Sequence, residues 1–185
     1  MSSIEEIRMD KRAERRALSP EIVEKLSRCI VERLEKLPEY KEAATVMIYR
    51  AVQGEVRLDK LRGKRFVYPL CTARGEMCAL MPEDENSWCN GAFGIPEPII
   101  EKSEEIAPGD IDLVICPCTA FDINCSRLGM GGGYYDRFLP KCTKAKFVAV
   151  AYEMQRVREL PRRSWDVPMD AVVTEEKLYR REEKQ

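Results

Sequence analysis

At 185 residues and 44% hydrophobic, the chain can bury roughly two thirds of the surface its unfolded form exposes, enough for one core without metal or disulfide staples. Its 31 basic and 32 acidic side chains leave a net charge of -1, so no chain-wide field favours nucleic acid or an anionic membrane, and any anion site is local. With no histidine anywhere, histidine triads and mixed Cys/His zinc sites are excluded together.

Residues 5–37 read as helix, broken near Ser19-Pro20, where serine caps a second helix and proline takes its first position. Ile22, Val23, Leu26, Cys29, Ile30, Leu34 and Leu37 then follow a 3.6-residue apolar stripe that must pack on a core. Residues 44–49 (ATVMIY, followed by Arg50) and 65–68 (RFVY) are rich in β-branched and apolar side chains and predict strands. Val56 to Leu61 predicts a short helix between them, and Glu76 to Met81 a further strand stopped by Pro82. Residues 82–109 hold Gly91, Gly94, Pro96, Pro98 and Pro108 with little periodicity and are expected to be a long surface connection, a kind of loop that is often functional.

Ile111 to Cys116 and Lys146 to Tyr152 are continuously apolar, the pattern of parallel strands covered on both faces. Strands separated by helical segments favour an α/β sandwich with a largely parallel sheet, in one domain over 1–185, with no internal repeat. The longest apolar runs are far too short for a membrane helix, and the charged amino terminus lacks a secretory core, so a cytoplasmic protein is expected. The eight cysteines are irregularly spaced and are expected to be reduced, mostly buried thiols; Cys116-Pro-Cys118 with Cys125 lacks the spacing of a zinc site.

Between the two apolar strands stands Arg127-Leu-Gly-Met-Gly-Gly-Gly-Tyr-Tyr-Asp-Arg137, in which four of the ten glycines fall within five residues, ahead of a short helix ending at Pro140. Glycines there let the backbone approach a ligand, and the N–H groups of the helix start attract an anion. A phosphate cradle is the chemical reading, flanked by Arg127 and Arg137 as phosphate partners and Asp136 as a hard oxygen ligand for Mg²⁺. A tight structural crossover is the alternative. The spacing fits neither G-x-G-x-x-G nor a Walker loop.

Phe121-Asp122 followed by the run from Arg127 to Leu139 resembles the signature of 5-formyltetrahydrofolate cyclo-ligases. Further matches keep that family's order: Gln53-Gly-Glu55, Tyr68-Pro69, Gly94-Ile-Pro-Glu-Pro98, Tyr152-Glu-Met-Gln155 and Trp165-Asp-Val-Pro-Met-Asp170. The resemblance covers nearly the whole chain. It implies a three-layer α/β sandwich like that of the NagB/RpiA/CoA-transferase group, with ATP as co-substrate and Mg²⁺ bound around the glycine loop. The implied reaction converts 5-formyltetrahydrofolate to 5,10-methenyltetrahydrofolate through phosphorylation of the formyl oxygen and ring closure by N10, with no covalent or acid/base side chain assigned.

Carried over by position, Arg8 and the run Arg127, Leu128, Gly129, Met130, Gly131, Gly132, Gly133, Tyr134 and Tyr135 match ATP-binding positions. Arg50, Glu55 and the loop from Met130 to Tyr134 match folate-contacting positions, with Glu55 near the formyl group, and Asp136 and Asp166 match magnesium ligands. Ile4 and Gly132 stand where some relatives carry basic residues; Lys11 and Arg15 repeat the spacing and are candidates to substitute. The aromatic residues Tyr49, Trp88 and Phe93 lean toward a pterin. The expected partners are small molecules only, a reduced folate and ATP, with no nucleic acid or membrane, and the expected state is a monomer. Two rival readings stay open: a folate- or nucleotide-binding paralogue without turnover, and an ATP-dependent enzyme of this fold acting on another substrate.

Overall fold

A computed structural model describes residues 3–52, 54–72, 75–91 and 94–182; Gln53 and Phe93, both singled out in the sequence, lie outside the described residues. Two helices open the chain, α1 (Ile4–Arg16) and α2 (Pro20–Leu34). Ser3 and Glu6 close a reciprocal capping box at the start of α1. Ser19 accepts from the Ile22 amide at the start of α2, with Pro20 in its first turn, as its sequence predicts. The buried stripe of α2 is Val23, Ser27, Ile30, Val31 and Leu34. Ile30 and Leu34 are fully buried, each contributing about 1.5–3 kcal/mol of transfer free energy. A short helix, α3 (Pro38–Glu42), leads into the sheet.

The central sheet has eight strands. In chain order they are β1 (Thr45–Met47), β2 (Arg65–Cys71), β3 (Met77–Pro82), β6 (Ser103–Ile106), β7 (Leu113–Pro117), β10 (Lys146–Val150), β11 (Ala171–Val173) and β12 (Leu178–Arg180). Two small ladders stand apart from it: β4 (Trp88–Asn90) with β5 (Pro96–Pro98), and β8 (Ala120–Phe121) with β9 (Arg127–Leu128). The spatial order is β12-β11-β10-β7-β1-β2-β3-β6. The five strands from β11 to β2 run parallel, and β12, β3 and β6 add antiparallel at the margins.

Alternate residues of the parallel strands face opposite layers. Val46, Leu113, Ile115, Val148, Val150 and Val173 pack toward α2, α3 and the segment holding Val56, Leu58 and Leu61. Met47, Val114, Cys116, Ala149 and Val172 pack toward Phe121, Phe138 and Leu139, where α4 (Tyr134–Phe138) lies. Both faces are covered, which is why these strands read as unbroken apolar runs. The expected three-layer α/β sandwich with a largely parallel sheet is the architecture observed.

Three expectations fail locally. Val56 to Leu61 is not a helix: Val56 and Leu58 are buried while Arg57 between them is exposed, and the Arg57 amide bonds to Ser27 Oγ at 2.9 Å instead of an intrahelical carbonyl. Residues 82–109 are not one loop, because β4, β5 and β6 form within them. The sheet-edge strand β6 hides its identity in the exposed Glu104 and Glu105, charges that discourage pairing with another chain. Of the eight cysteines, all free, only Cys116, Cys118, Cys125 and Cys142 are buried, so the thiols are not mostly buried.

Candidate active site

Topology fixes where a ligand fits. From β1 the chain runs outward to β2 on one side, while β7, β10 and β11 build the other. The strand order therefore reverses between β1 and β7, and a crevice opens there at the carboxyl ends of the strands. A cleft of about 650 Å³ occupies this position, within the range of small-molecule sites. The loop after β1 supplies Tyr49, Arg50 and Glu55; the connection after β7 supplies the glycine loop; α1 crosses with Ile4 and Arg8; and the segment 160–168 brings Arg162, Arg163, Trp165 and Asp166.

All the predicted site residues line this one cleft: Arg8, Arg50, Glu55, the run from Arg127 through Gly129, Met130 and Gly133 to Tyr135, Asp136 and Asp166. Lys11 and Arg15 do not line it. Lys11 donates to the Met154 carbonyl at 2.7 Å and Arg15 turns inward, so neither replaces a charge at Ile4.

The short ladder of β8 and β9 presents the glycine loop. At its base, Asp122, itself buried, accepts the amides of Asn124 (2.9 Å), Ser126 (3.1 Å) and Leu160 (3.0 Å). One carboxylate thus ties the loop to the segment carrying Asp166. Gly131 and Gly133 adopt positive φ of 105° and 65°, a region that side chains with a Cβ rarely enter. Because α4 is only one turn long, its dipole is small and supplies little of the expected anion attraction.

Charge comes instead from arginines. Arg8 donates from Nε to the Gly129 carbonyl at 3.0 Å, and its guanidinium lies 3.5 Å from where a Cβ on Gly131 would stand. Arg137 donates to the Gly75 and Gly132 carbonyls, each at 2.8 Å. Arg127 sits beneath the loop with a side chain 2% exposed, bonded to the Pro117 carbonyl at 3.3 Å and to Asp136 at 3.1 Å, over the Tyr135 ring.

Across the cleft, Glu55 is 6% exposed. It accepts the Val52 amide at 3.0 Å, and Arg15 stands 3.4 Å away. Burial pushes its carboxyl above the usual range, opposed chiefly by Arg15. The Tyr135 hydroxyl is buried with no hydrogen-bond partner among the described residues, and burial holds it well above its ordinary pKa. Both tyrosines line the cleft; Tyr135 brings this neutral, unpaired hydroxyl, while the Tyr134 ring lies under Arg137. Arg50, an exposed residue, places its guanidinium carbon 4.2 Å from the centre of the Trp88 ring and 5.1 Å from that of Tyr68.

No cluster of three or more metal-binding side chains exists among the described residues. Asp136 and Asp166 nonetheless suit a magnesium ion that takes its remaining ligands from nucleotide phosphates and water, because Mg²⁺ commonly uses one or two carboxylates in this way. Asp136 Oδ1 accepts from Arg127 and the Val167 amide, and Asp166 Oδ2 accepts from the Arg163 amide, while the second oxygen of each carries no hydrogen bond among the described residues.

Sequence reasoning missed Arg162 and Arg163, although Pro161-Arg-Arg-Ser-Trp-Asp166 sets a basic pair beside the predicted ligand. It gave no role to Gln155, which bonds the Cys118 and Thr119 carbonyls at 2.7 and 2.9 Å and holds the connection after β7 in place.

A family model described as the 5-formyltetrahydrofolate cyclo-ligase family matches residues 1–175. The 5-formyltetrahydrofolate cyclo-ligase of Escherichia coli K12 is 32% identical over 178 residues, covering 91% of this chain and 98% of its own. That of Haemophilus influenzae is 30% identical over 143 residues, covering 72% and 76%. Among solved structures, the NMR structure of Aquifex aeolicus 5,10-methenyltetrahydrofolate synthetase superimposes with a TM-score of 0.85 at 34% identity, over 98% of this chain and 94% of that one. A 5,10-methenyltetrahydrofolate synthetase from Mycoplasma pneumoniae gives a TM-score of 0.77 at 23% identity, over 94% and 99%, and shares the fold. The chain belongs to the 5-formyltetrahydrofolate cyclo-ligase family.

Proposed function

We propose that the protein converts 5-formyltetrahydrofolate to 5,10-methenyltetrahydrofolate with consumption of ATP and release of ADP and phosphate. The observation that carries this reading is the pairing, in one cleft, of an arginine-flanked glycine loop with the buried carboxylate of Glu55 opposite it. In outline, the formyl oxygen attacks the γ-phosphorus of ATP, the bond to ADP breaks, and the formyl carbon becomes an activated imidate phosphate. The N10 lone pair then closes the ring on that carbon, N10 gives up its proton, and the carbon–oxygen bond breaks to release phosphate bearing the former formyl oxygen.

No side-chain nucleophile is needed, so the protein's part is positioning and charge neutralisation. The loop amides from Gly129 to Gly133 and the Arg8 guanidinium meet the phosphates, with Arg127 supporting the loop from beneath. Glu55, Arg50 and Tyr134 contact the folate, and the free Tyr135 hydroxyl offers a donor between the two ligands. Asp136 and Asp166 hold Mg²⁺, which supplies further neutralisation of phosphate charge when bound. The enzyme works as a cytoplasmic monomer on small molecules; no helix among the described residues is long and apolar enough to cross a membrane.

The deciding experiment incubates purified protein with 5-formyltetrahydrofolate, ATP and Mg²⁺ and follows the near-ultraviolet absorbance of the methenyl product. Product formation that stops when ATP is omitted supports the assignment. Binding of both ligands without product would favour the non-catalytic paralogue. Phosphate release only with other formylated or carboxylated metabolites would favour a different substrate.

A further inference from the structure

Arg15 is a charged residue of α1 with 2% exposure. Its Nη1 donates to the Cys118 carbonyl at 3.3 Å, its Nη2 stands 3.4 Å from Glu55 Oε1, and its Nε has no hydrogen-bond partner among the described residues. The two residues are held together by backbone as well as by charge. A Cβ on Gly54, whose φ is +77°, would lie 2.6 Å from the Arg15 carbonyl oxygen, so the loop carrying Glu55 packs directly on the helix carrying Arg15. Arg8, Lys11 and Arg15 share one face of α1, and each donates to a backbone carbonyl: Gly129 and Cys118 in the connection after β7, and Met154 after β10. Glu55 lines the cleft and Arg15 does not.

We propose that Arg15 is a positioning residue for the reaction: from the inner face of α1 it fixes the Glu55 carboxylate as an anion directed at the folate. The proposal rests on the reading of Glu55 as a folate contact given above. Charge is what makes the arrangement informative. A buried carboxylate without a partner takes up a proton in preference to staying charged, and Glu55 is already pushed above the usual range by burial, with Arg15 its largest counterweight. The other groups facing Glu55 are Arg12 on α1, the Val52 amide, and the Tyr49 and Tyr135 hydroxyls. Burial holds both phenols well above their ordinary pKa, so they stay neutral and leave Glu55 as the acid of this cluster whose charge Arg15 supports.

The test compares wild type, Arg15→Met and Arg15→Lys, each supplied with ATP and Mg²⁺, by the pH profile of kcat/KM for 5-formyltetrahydrofolate. Without the guanidinium, the acid limb of the profile is expected to move to higher pH by about one unit or more, a tenfold or larger loss on the acid side that is partly recovered on the alkaline side. Arg15→Lys keeps the charge and is expected to keep the wild-type limb. A role confined to structure would lower activity with the folded fraction and leave the limb where it was, and that result in a folded Arg15→Met protein overturns the proposal. Should Arg15→Met fail to fold, melting of the Arg15→Met, Glu55→Gln double variant decides: recovery of folding over Arg15→Met alone supports the pair, and equal failure overturns it. If wild type shows no turnover, the assigned reaction fails separately, and the melting comparison still judges the pair.

Discussion

Arg127 and Asp136 meet at 3.1 Å beneath the glycine loop, the guanidinium 2% exposed and the carboxylate 22%. One oxygen of Asp136 accepts from this arginine and from the Val167 amide, which leaves the other for the proposed Mg²⁺. Asp136→Asn is expected to lower turnover, with partial recovery at raised Mg²⁺. It is also expected to cost about 1–3 kcal/mol of stability, because the substitution strands a buried charge, while the partial exposure of Asp136 screens the loss. A magnesium titration of ATP-dependent turnover, run beside a thermal melt, checks both. A variant unchanged in either measure would remove Asp136 from its assigned place.

Gly131 tests whether the loop is a cradle or only a crossover. Its φ of 105° is strained for any other residue, while the space beside it is bounded by Arg8 at 3.5 Å, an ordinary contact distance for a single added carbon. Gly131→Ala is thus expected to cost about 1–3 kcal/mol in backbone strain and to weaken ATP binding. Gly131→Val, whose branches press on Arg8, is expected to abolish turnover. Activity must be normalised to folded protein, since a crossover would leave the surviving folded molecules fully active.

Glu55→Gln keeps the shape of the side chain and removes its charge at the end of the cleft assigned to folate. The expected result is a higher KM for the folate or a lower kcat, worth about 1.5–3 kcal/mol for a hydrogen bond involving a charged group, with KM for ATP nearly unchanged. Steady-state kinetics with each substrate varied in turn makes the distinction. Selective loss of ATP binding would place Glu55 with the nucleotide instead.

What was legible follows from how far each signal reaches along the chain. Helices α1 and α2 and the parallel strands β1, β2, β7 and β10 show because period 3.6 and apolar runs are local, as in α2 and in Leu113–Pro117, whereas α3 and the parallel strand β11, five and three residues long, are too short to carry either signal and were missed. The edge strand β6 does not show, because two of its four residues are glutamates facing solvent. Val56, Leu58 and Leu61 mix spacings of two and three, and the hydrogen bond from the Arg57 amide to Ser27 Oγ shows that the segment is not a helix. The glycine loop was readable because its residues are contiguous. The pairing of Arg15 with Glu55 was not, since the two meet only when α1 docks against the loop after β1. Asp122 lay inside the matched signature, but its work of tying the loop to Leu160 depends on tertiary approach.

The cysteines give a readout that needs no assumption about the reaction. Burial pushes the thiols of Cys116 and Cys118 up to about 12 and those of Cys125 and Cys142 up to about 11, so they carry almost no reactive thiolate near neutral pH. Cys29, Cys71 and Cys89 are exposed, and Cys78 is half-buried, with burial raising its pKa. Native protein treated with an alkylating reagent is therefore expected to label at Cys29 and Cys89 first, more slowly at Cys71 and Cys78, whose thiols burial pushes up, and at the other four only on unfolding. Cys71 also lines the cleft, so saturating folate and ATP should slow its labelling and leave Cys29 and Cys89 unaffected. Neither a strong reductant nor a zinc chelator should change activity when Mg²⁺ is supplied, because all eight thiols are free and no metal-binding cluster exists among the described residues. Peptide mapping by mass spectrometry after timed alkylation resolves each site. Rapid labelling of Cys116 or Cys118 in folded protein would contradict the packing of β7 against α4, and ligand protection at Cys29 in place of Cys71 would move the site away from this cleft.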